Sequence, residues 1–261
     1  MIGAIIGDII GSIYEWNNYR AKDFKLFGHN NTFTDDTVMT IAIARAFINL
    51  NHNFENLEKE VIKMMQKYGR LYPFVGYGRA FNEWLNSDNP QSYNSYGNGA
   101  AMRISSVSYV GKSIDEVKKL SYRVTKVTHN HKEGLRGAEA VAVAIYLART
   151  GTPIHEIKSY INRYYYSINF TIDSIRPIYQ FDESCQGSVP QALECFFESY
   201  SFEDAIRNAI SIGGDSDTIA AIAGSVAGAY YKIPNDIKEK ALSYLDARLL
   251  NDLKEFNKIY K

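Results

Sequence analysis

The chain has 261 residues, 46% hydrophobic and 22% charged, enough to bury a sizeable core as one domain over residues 1–261. Lysine plus arginine number 29 and aspartate plus glutamate 29, which excludes the basic footprint of a dedicated nucleic-acid binder and an acidic tail alike. The two cysteines, Cys185 and Cys195, exclude a disulfide framework and point to a reducing cytoplasm.

The opening stretch, MIGAIIGDIIGSIYEW, is apolar, yet it has no basic leader and no small-residue cleavage site. Asp8 interrupts it, and it is too short to span a bilayer, so no membrane association is expected. Gly3, Gly7 and Gly11 recur every four residues, the spacing of a small-residue stripe on a helix, read as packing against a neighbour rather than as a ligand loop. DDTVMTIAIARAFINL predicts a helix whose apolar face carries Val38, Ile41, Ala42 and Phe47. In NFENLEKEVIKMMQKYG, Phe54, Leu57, Val61, Met64 and Met65 keep helical spacing, and Gly69 reads as the C-cap. SIDEVKKLSYRVTKV starts with a capping box from Ser113 to Glu116. GLRGAEAVAVAIYLARTG is an alanine-rich helix stopping at Gly151 before Pro153. SVPQALECFFESY, SFEDAIRNAISIG and PNDIKEKALSYLDARLL complete the set. YINRYYYSINFTIDSIRPIYQFDESCQGS lacks a clean period and contains Pro177, so it reads as a long ordered loop. Strand-like alternation is scarce, and the predicted fold class is all-α in a single domain.

Two helix heads gather acids. Thr34, Asp35, Asp36 and Thr37 open one helix; Asp215, Asp217 and Thr218, behind Gly213 and Gly214, open another. Capping accounts for either head alone. Vicinal acids point roughly 100° apart on a helix, so Asp35 and Asp36 flank a ligand site rather than fill one. Two such heads facing each other would enclose a pair of hard divalent cations, since acids are seldom gathered without compensating charge.

With these motifs the chain resembles the ADP-ribosylglycohydrolase family. GDIIGSIYE from Gly7 to Glu15, TDDT from Thr34, GNGAAMR from Gly97 to Arg103, THNH from Thr128 to His131, and GGDSDT from Gly213 follow in that family's order and span residues 2 to about 231. The resemblance implies an orthogonal all-helical fold with two Mg²⁺ (or Mn²⁺) ions under an ADP-ribose cleft. It implies Thr34, Asp35 and Asp36 on one ion, Asp215 and Thr218 on the other, Asp217 on both, and Glu15 beside them as general base or proton shuttle. Ser95, Tyr96, Gly97, Asn98 and His129 are the residues it implies against ADP-ribose. The implied reaction is hydrolysis of the bond between the anomeric carbon of ADP-ribose and an acceptor, reversing ADP-ribosylation, and an acidic site favours arginine as that acceptor.

Beside that resemblance, Gly97-Asn98-Gly99 is by itself an ordinary turn. His129 and His131 sit too close together for a helical metal pair and have no cysteine partner, which argues against zinc; His131 reads as a helix cap. Arg103 reads as a buried salt bridge or a cap rather than a phosphate clamp. Tyr164, Tyr165, Tyr166 and Tyr179 read chiefly as packing residues, and neither cysteine has a partner that would make it a nucleophile. Two other functions use similar acids: a dinuclear-metal nucleotide phosphohydrolase, and a non-catalytic ADP-ribose-binding protein. The first lacks a P-loop or cationic clamp; the second would be signalled by lost acids, and all are present.

Overall fold

In a computed structural model that describes residues 1–260, the chain forms fifteen α-helices. They are α1 (Ile2–Gly11), α2 (Asp35–Leu50), α3 (Leu57–Leu71), α4 (Arg79–Leu85), α5 (Gly99–Met102), α6 (Val107–Val110), α7 (Ile114–Thr125) and α8 (Lys132–Arg149). There follow α9 (Ile154–Tyr164), α10 (Ile172–Ile175), α11 (Cys185–Phe197), α12 (Phe202–Ser211), α13 (Ser216–Tyr230), α14 (Asn235–Leu242) and α15 (Ala247–Ile259). Among the described residues there is no β-strand, only an isolated bridge between Gly97 and Ser184. The predicted all-α class holds.

The centre of the molecule is α13. Every residue from Ser216 to Ala227 is buried, and α1, α8, α11 and α12 pack around it. A helix hydrophobic on all sides belongs at such a centre. Its closest partner is α1, and the glycine stripe is the reason. A Cβ at Gly7 would stand 2.0 Å from the Ala220 carbonyl oxygen, and one at Gly11 2.4 Å from Asp217 Cα. Backbone therefore lies on backbone, and Asp8 of α1 is carried to the acidic end of α13. The other acidic head belongs to α2, which packs against α1, α3 and α15.

Four local expectations are corrected, the last in part. Helix α3 runs through Gly69 to Leu71; that glycine makes room for Leu85, whose Cδ1 would lie 2.6 Å from a Cβ there. The stretch 160–188 is not one loop. It opens as the end of α9, where Ile157 and Ile161 are fully buried, holds one turn at α10 capped reciprocally by Thr171 and Ser174, and closes as α11. The last predicted helix is two, because Asp246 accepts a bond from the Leu249 N–H at 2.9 Å and starts α15 afresh. At Ser113 the hydroxyl caps Glu116 N–H as expected, but the Glu116 carboxylate accepts from Lys112 N–H rather than from Ser113.

Candidate active site

At the head of α2 the cap is Thr34, whose Oγ1 accepts from the Asp36 N–H at 3.3 Å, leaving both carboxylates free of that duty. Asp215 occupies the N-cap position of α13 but makes no capping bond; its Oδ2 accepts instead from Asn98 Nδ2 at 2.6 Å. Gly213 and Gly214, with φ of +69° and +76°, turn the chain tightly into this position, and the Gly214 N–H donates to Asn18 Oδ1 at 3.0 Å. Capping therefore does not explain the acids.

The two heads meet. One carboxylate oxygen each from Asp8, Asp36 and Asp217 lie within 4.8 Å of one another, as do oxygens of Glu15, Asp215 and Asp217, so Asp217 belongs to both groups. Asp36 Oδ1 is buried without a hydrogen-bond partner, while its Oδ2 accepts from Thr218 Oγ1 at 3.2 Å. Burial, followed by repulsion from neighbouring acids, pushes Asp35, Asp36 and Asp217 well above the usual carboxylate range. Burial lifts Asp215 to about 6. Glu15 rises to about 7 through burial and then the charge of Asp217, against a smaller opposing hydrogen bond from Trp16. A buried, all-oxygen donor set with an orphaned carboxylate oxygen suits hard divalent cations. The residues present fit such ions.

Asp8 is the participant that sequence reasoning passed over. It is fully buried; Oδ1 accepts from Thr34 Oγ1 at 2.7 Å, and Oδ2 from the N–H groups of Thr34 and Thr37 at 3.0 and 3.1 Å and from the Thr37 hydroxyl. The signal was an acid in the middle of an apolar helix, which needs a partner to be tolerated there. Thr34 thus spends its hydroxyl on Asp8, and Asp35 lies beside the two oxygen groups without joining either.

Above the acids is a cavity of about 260 Å³, reached by Glu15, Asp35, Asp36, Asp215, Asp217 and Thr218. Ser95, Gly97, Asn98 and His129 line its wall. Tyr96 does not; its half-exposed ring lies 5.3 Å from that of His131. Arg79, Phe81, Phe181 and Glu183 also line the cavity, and sequence reasoning singled out none of them.

His129 is buried, and burial, with the Arg103 charge adding to it, holds its pKa well below the usual imidazole value. Arg103 NH2 lies 3.1 Å from His129 Nδ1 and 2.6 Å from Thr128 Oγ1. A guanidinium only donates, so Nδ1 accepts, and the ring keeps its proton on Nε2, beside Gly97 and Gly99. His129 is therefore a neutral donor facing the glycine turn. Arg103, expected as a salt bridge or cap, instead orients that ring while stacked 5.2 Å from the Phe81 centroid. His131 does cap α8, accepting from the Glu133 N–H at 3.2 Å.

Tyr165 and Tyr166 are buried, and Tyr179 packs under Gly214 and donates to the Gly187 carbonyl at 2.9 Å. Tyr164 is exposed, beside Lys118. Both cysteines are free and buried, and burial raises both thiols, so neither is an activated nucleophile. Among the described residues no helix is long and apolar enough to cross a membrane.

Residues 1–259 match the model of a family described as ADP-ribosylglycohydrolase. The human ADP-ribosylhydrolase ARH3 is 26% identical over 332 residues, covering 96% of this chain and 90% of the human protein. Its Xenopus tropicalis counterpart is 25% identical, covering 95% and 91%. A solved structure described as an ADP-ribosylglycohydrolase-related protein complex superposes with a TM-score of 0.73 at 21% identity, covering all of this chain and 97% of the other.

Proposed function

Because this chain belongs to the ADP-ribosylglycohydrolase family, we propose that it hydrolyses the bond joining the anomeric carbon of ADP-ribose to an acceptor, with two Mg²⁺ (or Mn²⁺) ions as cofactors. The observation that carries this reading is the double membership of Asp217, shared by two groups of buried and half-buried acids beneath one cavity. Thr34, through the lone pair its hydroxyl keeps while donating to Asp8, would hold one ion with Asp35 and Asp36, Asp215 and Thr218 the other, and Asp217 both, while Asp8 fastens the first head through Thr34 and Thr37. When bound, such ions orient ribose hydroxyls and acidify a water.

The chain's own groups have separate tasks. Glu15, with its carboxyl poised near neutrality by burial and Asp217, takes a proton from the attacking water and can return it to the departing acceptor. His129 donates from Nε2, and Arg103 keeps it in that tautomer. Asn98 holds Asp215 in place while Ser95 and Gly97 border the sugar-phosphate. Charge developing on the ribose ring in an oxocarbenium-like state is met by the fixed carboxylates below.

Arginine is the proposed acceptor: the exposed Glu183 and the half-buried Glu15 both face the cavity and can meet a guanidinium. A reducing cytoplasm suits the two free cysteines. Purified protein with Mg²⁺ should release ADP-ribose from an arginine-linked compound faster than from serine-linked or acetyl-linked ones. Equal rates would remove the arginine preference alone. Inorganic phosphate released from nucleotides would favour the phosphohydrolase, for which Arg79 lining the cavity supplies a cation; ADP-ribose binding without turnover would leave a binding protein.

A further inference from the structure

Trp16 follows Glu15 directly and is 80% exposed, an unusual place for the largest apolar side chain. It is not loose. Its ring is stacked on that of Phe181, with centroids 5.3 Å apart and planes 20° apart, and Phe181 lines the cavity. The segments bearing the two rings are tied together. Arg20 donates to the carbonyls of Arg176, Tyr179 and Ile212, the last at 3.1 Å, bracketing the approach to Phe181 on one side and the acidic turn on the other. Asn18, in a left-handed conformation at φ 45°, accepts from Gly214 N–H one residue before Asp215. Two long-range anchors thus fix an exposed indole beside the acid expected to handle the proton of the departing group.

Core packing does not explain a ring this exposed, and ADP-ribose bound over Asp215 and Asp217 would place its anomeric carbon, with the acceptor, next to Glu15. We propose that Trp16, backed by Phe181, is the specificity-determining platform for the acceptor side of the substrate, receiving the residue that carries ADP-ribose and the polypeptide around it. This rests on the hydrolase reading above. An indole face takes up a planar cation or a peptide group at small entropic cost.

The test compares wild type, Trp16→Ala and Trp16→Phe on arginine-linked and serine-linked ADP-ribosyl peptides, with affinity for free ADP-ribose measured in parallel. Trp16→Ala should raise KM for the hydrolysed peptide roughly tenfold, from a ring contact of this class, with ADP-ribose affinity within about twofold of wild type and any change in kcat, from the lost bond to Glu15, common to Trp16→Ala and Trp16→Phe. Trp16→Phe should recover most of the loss. An unchanged KM overturns the assignment. So does an equal fall in ADP-ribose affinity, which would put the ring against the adenosine end, or a fall in kcat alone, which would make Trp16 a positioning residue for Glu15. A wild type that hydrolyses neither peptide and no other ADP-ribosyl compound takes down the hydrolase reading and this inference together; an active wild type matched by Trp16→Ala takes down this inference only.

Discussion

Asp217 concentrates the energetic problem of the site. It is buried, shares both oxygen groups, and is the largest charged neighbour that Asp35 and Asp36 feel. Replacing it with asparagine keeps an oxygen for the Thr218 N–H, which Asp217 Oδ1 accepts at 2.9 Å, but removes a charge. Two opposite effects are expected. Without metal, Asp217→Asn should melt above the metal-free parent, because the fold no longer has to bury this charge or take up a proton to neutralise it. With Mg²⁺ it should lose most of the parent's gain in Tm, and turnover should fall by roughly 100-fold or more. Thermal melts with and without EDTA check the first pair, and ADP-ribose release the last. A variant that melts lower in EDTA would show that Asp217 is held by bonds rather than strained by charge. The acids of the two helix heads were legible in the sequence because their density exceeds what capping needs. The role of Asp8 was not, because nothing local reveals that its oxygens reach the Thr34 and Thr37 amides of another helix.

At the scale of helices, the spacing of α1 from α13 sets the site, since Asp8 and Asp217 ride on the two. Gly7 is, with Gly3, the tightest point of that contact. Gly7→Ala places a methyl group where the Ala220 carbonyl already stands, and neither backbone can yield without moving its helix. A loss of about 3 kcal/mol in urea unfolding is expected, together with weaker Mg²⁺-induced stabilisation as the two acids separate. A loss below about 0.5 kcal/mol, the scale of an ordinary surface change, would mean the helices slide freely and the stripe is incidental. The stripe itself could be read from periodicity, as could the long amphipathic helices. What could not be read were boundaries set by distant contacts. Gly69 serves Leu85 rather than a helix end, and Tyr164 ends a helix whose buried face is only Ile157 and Ile161. The aromatic run around it masked that short period.

For the whole molecule, the buried acids couple stability to pH and to metal. Each has a folded-state pKa above its unfolded value, so between those values the native chain holds protons that the unfolded chain has lost. The contribution of these acids to stability is then greatest below the unfolded range near pH 4 and falls as pH rises, until the folded values of about 6 for Asp215 and about 7 for Glu15 are passed. The metal-free protein should therefore lose Tm steadily from pH 5 to pH 7.5. Some groups work the opposite way: burial holds His129 low, so its share rises with pH inside this range and offsets part of the slope, while the window of Glu58, held down to about 2 chiefly by its hydrogen bond from Arg123, lies below it. Divalent cations compete with protons for the same oxygens, so adding Mg²⁺ should flatten the slope or invert it, with stabilisation growing toward higher pH. Melting curves across this range, in EDTA and in millimolar Mg²⁺, separate the cases. If the EDTA curve rises with pH, the acids are stabilised by something other than a missing cation. If the two curves run parallel, the ions bind elsewhere than among Asp36, Asp215 and Asp217.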